Sequence, residues 1–331
     1  MGLTNNTTFP GLAVPVTDLA GREQVALIVK ATFDIDARGH TRFADEQSVV
    51  RPADELFDPS AANSSARYPS DIALEMVGTS VVVVGEAVSP RPVEAMDVGV
   101  KVRDTTVPLR VHGERRFYRA ALGIGIGPAA RFERMPIVYE RAFGGASPDH
   151  RTVEVRNPAG LGAAASPADL IDTPAPQIEH PARPHTSARD KHPPAGFGAI
   201  LPHWSPRREY AGTYDDVWQQ TRMPLFPLDF DARYYAPAHP SLLFDPGLRP
   251  GDPIAVVGMS EEPLVFQLPR LPIELRGRSD LSGWRTVLPV IDTVLVEPGR
   301  RRVELTCRAA FLVGRGKDIL RELVVELDDA G

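Results

Sequence analysis

"VALIVKATFDID", residues 25–36, sets Val25, Leu27, Val29, Ala31, Phe33 and Ile35 at every second position, the period of a strand that turns one face to a core. "VGVKVRD" (98–104) does the same with Val98, Val100 and Val102, so both read as half-buried strands. Between them, "VVVVGEAV" (81–88) is a β-branched run without polar alternation. It fits a sheet interior covered on both faces.

The same periodicity returns late in the chain. "TVLVEPGRRRVELTCRAAFLV" (293–313) reads as two strands joined at Pro298-Gly299, with Val303, Leu305, Cys307, Ala309 and Phe311 toward one face, which makes Cys307 a core residue. "ILRELVVELDD" (319–329) fits helix or strand, and Val324-Val325 favours strand. "VALIVKATF" and "VELTCRAAF" share the pattern V-x-L-x-x-basic-A-x-F, which puts Lys30 and Arg308 in the same outward register. A duplicated β-unit explains this, and so does chance likeness between two amphipathic strands.

Composition narrows the class. A chain of 331 residues can bury a large core without staples, and its single cysteine excludes a disulfide framework or a multi-cysteine metal site. A cytosolic location fits best. The opening "MGLTNNTTFPGLAVP" has no signal-peptide layout or myristoylation signal, and no window reaches the roughly 18 apolar residues of a membrane span. The net charge of −6 argues against generic nucleic-acid or anionic-lipid binding. Two basic stretches, "RPHTSARDKHPP" (183–194) and Arg300-Arg301-Arg302, lack interleaved aromatics and read as solvated loops.

Proline is abundant, with 33 residues, about twice the usual ~5%, and it crowds the stretch from Pro158 to Pro253. Regular elements there must be short. Two small helices are expected: "SPADLID" (166–172), capped by Ser166 with Pro167 in the first turn, and "TYDDVWQQTR" (213–222), capped by Thr213 with Asp216 at the return position and Tyr214 and Trp218 on one face. Phe197, Trp204, Tyr210, Phe226, Phe230, Tyr234 and Tyr235 argue for an ordered wrap rather than a linker.

The expected fold is therefore mainly β. Two β-sandwich or barrel-like units, 1–130 and 241–331, flank a proline-rich, loop-dominated region, 131–240, that carries one or two short helices, all in one compact assembly.

Catalytic templates find little purchase. "GIGIGP" (123–128) lacks phosphate-loop spacing, and neither G-x-S-x-G nor H-E-x-x-H occurs. His180, His185 and His192 read as solvated loop histidines rather than metal ligands. No cofactor, metal ligand or catalytic residue is assigned. Glu140, Asp215, Asp216, Asp229 and Asp231 sit beside aromatics, as glycoside-cleaving carboxylates do. The bland alternative pairs Glu140 with Arg141 or Arg222 in a structural salt bridge.

Five blocks in order, "FERMPIVYERAFGG" (132–145), "NPAG" (157–160), "PAGFGAI…W.PR" (194–207), "GTYDDVW…R.PL.PLDFDARYY" (212–235) and "GDPIAVVGM" (251–259), resemble the bacterial family catalogued as domain of unknown function 2169. The first signature falls on Tyr139, Glu140, Arg141, Phe143, Gly144 and Gly145. The second falls on Gly212, Thr213, Tyr214, Asp215, Trp218, Arg222, Asp229 and Asp231. The chain departs from the family pattern at "LEMVGTSVVVVGEA" (74–87) and at "APQIEHP" (175–181), where Ile178, Glu179 and Pro181 are retained. The resemblance implies a type VI secretion adaptor or chaperone that binds a toxic protein effector and helps load it onto spike proteins. A carbohydrate-active hydrolase and a structural β-protein of the secretion apparatus are the rivals.

For the first signature the alternation predicts an extended 137–143, with Tyr139, Arg141 and Phe143 on one face and Glu140 on the other. Glu140 and Arg141 would then latch the strand to two neighbours, one of them the "TYDDVW" helix, before Gly144-Gly145 turns the chain.

Overall fold

The second face of residues 25–33 is not in solvent. In the computed structural model, which describes residues 2–328 apart from 62, 148, 316 and 317, Ala26, Ile28, Lys30 and Thr32 are as buried as Val25, Leu27, Val29 and Ala31. The half-buried strand expected here is buried on both sides.

The strands of the three large sheets are, first, β1 (Gly2–Asn5), β2 (Gly11–Thr17), β3 (Glu23–Ile35), β4 (Thr79–Val83), β5 (Ala95–Val102), β6 (Thr105–His112) and β7 (Ile178–Glu179). After these come β8 (Leu243–Phe244), β9 (Pro253–Val257), β10 (Leu264–Gln267), β11 (Ile273–Ser279), β12 (Gly283–Val287), β13 (Val290–Glu297), β14 (Arg302–Leu312) and β15 (Asp318–Leu327). One sheet runs β8-β4-β13-β14-β3-β2, with Thr41–Phe43 added to β3. The second runs β7-β6-β5-β9-β10 and the third β1-β15-β11-β12. No closed barrel forms among the described residues.

The mainly β class, with few and short helices, is as read from the sequence. The strand-rich ends, however, share every large sheet: β3 pairs with β14, β5 with β9, and β1 with β15. One apolar cluster joins Leu27, Leu305 and Cys307 of the first sheet to Val100 and Leu109 of the second and Leu275 and Val325 of the third. Phe197 and Trp204 of the proline-rich region enter the same cluster.

The two strands with the shared pattern are direct antiparallel neighbours. Lys30 lies opposite Thr306, and Arg308 opposite Ile28, so each hairpin, β2-β3 and β13-β14, meets the other about a local two-fold axis. Two copies of one hairpin paired edge to edge have this geometry.

Lys30 and Arg308 do share a face, but it is covered by residues 44–78, so both are buried. Charge balance makes this tolerable. Lys30 Nζ lies 2.8 Å from Asp71 and 3.1 Å from Glu304, Arg51 lies 2.6 Å from Glu304, and Arg308 lies 2.8 Å from Asp292. Arg308 also donates to the carbonyls of Asp71 and Ala73, and Thr306 to the Asp71 carboxylate. Period-two alternation is thus kept, with apolar side chains on one face and a satisfied ionic layer on the other.

Candidate functional site

Tyr139–Arg141 is a single 3-10 turn, not a strand, so the extended latch is corrected. Successive side chains in such a turn diverge by about a third of a revolution, and Glu140 and Arg141 still reach different neighbours. Glu140 accepts from the Ser65 backbone N–H at 2.7 Å, the Ser65 hydroxyl at 2.6 Å and the Ser64 hydroxyl at 3.2 Å. Arg141 donates to the Gln177 side chain and lies 3.9 Å from Glu114. Neither residue bonds to the "TYDDVW" helix. No salt bridge joins Glu140 to Arg141 or Arg222, whose guanidinium instead donates to the carbonyls of Phe226 and Leu19 at 2.9 and 3.0 Å.

Gly144 and Gly145, with φ of 154° and 95°, let two signature blocks touch backbone to backbone. The fully buried Asn157 donates its amide to the carbonyls of Tyr139 at 2.7 Å and Phe143 at 3.0 Å. Gly145 N–H returns a bond to the Asn157 carbonyl at 2.7 Å, and Leu161 N–H bonds the Ala142 carbonyl at 2.9 Å. A Cβ on Gly144 would lie 2.1 Å from the Asn157 oxygen. The Tyr139 ring fills the other side. It packs on Gly196, where a Cβ would come within 2.9 Å of it, and meets Trp204 edge-on at 5.9 Å. Burial pushes its hydroxyl far above the usual phenol range. Blocks distant in sequence thus interlock at one clasp.

Phe143 carries the clasp outward by stacking on His185 at 5.3 Å. His185, read as solvated, is buried, and its backbone N–H and ring Nδ1 lie 2.8 and 3.3 Å from Glu179. His112 and Arg115 reach the same carboxylate at 2.8 Å each. Burial alone would raise the Glu179 pKa, but the hydrogen bonds of His112 and His185 and the charge of Arg115 hold it well below the carboxylate range. Nothing in the spacing of His112, Arg115 and Glu179 reveals this cluster. The sequence signal is the retained Ile178-Glu179, which forms β7 and pairs with Arg110 and Val111 of β6.

The second signature builds a lobe. Thr213 does not cap the helix, because its N–H and hydroxyl bond Asp229 at 2.9 and 2.8 Å. Asp215 caps instead, accepting from Trp218 N–H at 2.8 Å at the start of α1 (Asp216–Thr221). Tyr214 and Trp218 pack together at 4.7 Å, and Trp218 Nε1 donates to the Leu225 carbonyl. Gly212, at φ 80°, sits against Asp229. Asp231 caps the turn Ala232–Tyr235 through Arg233 N–H and pairs with the Arg233 guanidinium. Below the lobe, Arg207 donates to the carbonyls of Tyr234 and Ile200, and burial lowers its pKa to about 10. Tyr214, Val217, Met223 and Leu228 stay exposed on the lobe, the last at 87%. The first expected helix is a 3-10 turn, Pro167–Leu170, with the Ser166 capping box in place.

The carboxylates singled out for glycoside cleavage, Asp216 aside, brace the backbone. Thr213 N–H and hydroxyl lower the Asp229 pKa, and the Arg233 side chain lowers that of Asp231, the opposite of what a proton donor requires. Among the described residues no group of three or more His, Cys, Asp or Glu is placed to hold a metal ion, and no helix is long and apolar enough to cross a membrane.

Fold and clasp together define a β-rich scaffold whose signature residues tie loops to the core. Residues 20–308 match the family described as "uncharacterized protein conserved in bacteria (DUF2169)", and the chain belongs to that family. Neither the curated proteins nor the solved structures yield a match.

Proposed function

We propose that this chain is a non-enzymatic cytoplasmic adaptor that holds a protein effector for type VI secretion and helps hand it to the spike. The supporting observation is the division of labour in the second signature. Its polar members are engaged in caps and backbone bonds, while Tyr214, Val217, Met223 and Leu228 are left exposed on a lobe braced by Arg207 and Arg222. Apolar side chains presented on a braced backbone spare a docking protein the cost of ordering that backbone. The occupant is the effector, as the family resemblance implies.

Co-expression with a toxin encoded beside this gene, as the family resemblance implies there is, tests the proposal. The expected result is a co-purified complex and loss of soluble, deliverable toxin on deletion. A toxin that stays soluble and is delivered without this chain overturns it. Glycan turnover by the wild type, lost in Glu140→Gln with Asp215→Asn, would replace it with hydrolysis. Recovery of the chain in sheared secretion sheaths would replace it with a structural role.

A further inference from the structure

β7 pairs with only two residues of β6, Arg110 and Val111, and then leaves. In antiparallel register the next partners would set Pro181 against Pro108. The chain instead turns, with Arg183 N–H bonded to the His180 carbonyl. The His112 N–H bond to Gln177 and the Gly113 N–H bond to Glu94 fix which main-chain groups of β6 face outward: by alternation those of residues 106, 108 and 110 do. Pro108 has no N–H, so it ends the ladder. The N–H and C=O of Thr106 and the C=O of Pro108 are therefore left on an open edge.

That vacated strand position is a cavity of about 580 Å³, lined by Thr105–Leu109 on one side and by His180, Arg183, Pro193, Pro194 and His239 among others. No Asp or Glu lines it among the described residues. His180 Nδ1 accepts from Ala182 N–H and His239 Nδ1 from Ser241 N–H, which leaves the ring proton on Nε2 as a donor. Neither Nε2, nor the guanidinium of the exposed Arg183, has a hydrogen-bond partner among the described residues.

We infer that this groove takes an extended, carboxylate-bearing segment of the protein partner as an added strand beside β6. Main-chain bonds to Thr106 and Pro108 set its direction, and Arg183 with the two imidazoles selects acidic side chains. The inference rests on the adaptor proposal for the identity of the partner, but the groove can be tested by itself.

The probe is a short fluorescein-labelled peptide alternating valine and glutamate, compared with its lysine counterpart by anisotropy on the full chain. Expected are binding of the glutamate peptide, about tenfold or more weaker binding of the lysine peptide, and weakening as salt rises. Arg183→Glu should lower affinity about tenfold or more, and Thr106→Pro, which deletes the outward N–H, should do likewise, with circular dichroism unchanged for both. Equal binding of the two peptides, no binding of either, or indifference to both substitutions overturns the groove. In co-expression, an effector captured equally by wild type and both variants sinks the groove and spares the adaptor. Selective peptide binding without any effector capture sinks the adaptor and spares the groove.

Discussion

Lys30 and Asp71 meet at 2.8 Å with side chains 2% and 3% exposed. A pair so far from water persists only when its remaining bonding capacity is used. Here Asp71 also accepts from Arg51 N–H and the Thr306 hydroxyl, each at 2.7 Å. The contact fastens residues 44–78 across β3 and β14.

Lys30→Met should therefore destabilise by about 3–5 kcal/mol, because it leaves Asp71 a buried charge without its ammonium partner, while Glu304 keeps Arg51. Urea unfolding measures this. A loss under about 1 kcal/mol would mean that residues 44–78 are held by other contacts.

Glu304 makes the ionic layer sensitive to acid. Burial raises its pKa, but the Arg51 hydrogen bond and the Lys30 charge outweigh burial and bring it down to about 2 from an ordinary 4.5. Since the folded value is depressed, its stabilisation is complete above pH ~4.5, decays as pH falls, and is gone below about 2. It amounts to about 3 kcal/mol. Asp292, raised by burial, acts in the opposite sense. Comparing the wild type with Glu304→Gln isolates the Glu304 part, and the variant should show a flatter acid limb.

At the clasp, Gly144→Ala would place a methyl 2.1 Å from the Asn157 carbonyl, at a φ of 154° that side chains rarely adopt. Asn157→Asp keeps the shape but cannot donate to Tyr139 and Phe143, and it buries a charge. Each should cost about 2–4 kcal/mol, read as a lowered Tm. A wild-type Tm in both would remove the clasp from the account of stability.

On the lobe, Val217→Asp and Leu228→Asp change exposed positions and should leave stability within about 0.5 kcal/mol. Their effect should fall on effector capture. Undiminished co-purification of the double variant would move the docking surface elsewhere.

Much of this architecture is legible in local pattern. Val25 to Ile35 and Val303 to Phe311 announce strands, and Cys307 falls in the core as its register requires. What escapes is what distant segments impose. The covered second face of β3 depends on Arg51 and Asp71 arriving from an irregular stretch with no pattern of its own. Thr213 and Asp215 are equally good caps by type, and Asp229, sixteen residues on, decides between them by taking the threonine. Tyr139–Arg141 curls where Glu140 binds Ser65 and Asn157 holds the Tyr139 carbonyl, contacts from distant segments that no local pattern announces. His185 looks solvated among prolines until Glu179 and Phe143 enclose it.

The direct pairing of β3 with β14 also governs how the chain is made. β3 leaves the ribosome long before its principal neighbour, so most of the polypeptide must be synthesised before the central sheet can close. During that interval residues 25–35 can pair with β2 and with Thr41–Phe43, but their other edge lacks its native neighbour. Contacts so distant in sequence close slowly, so the open edge of β3 is exposed to non-native pairing in the meantime.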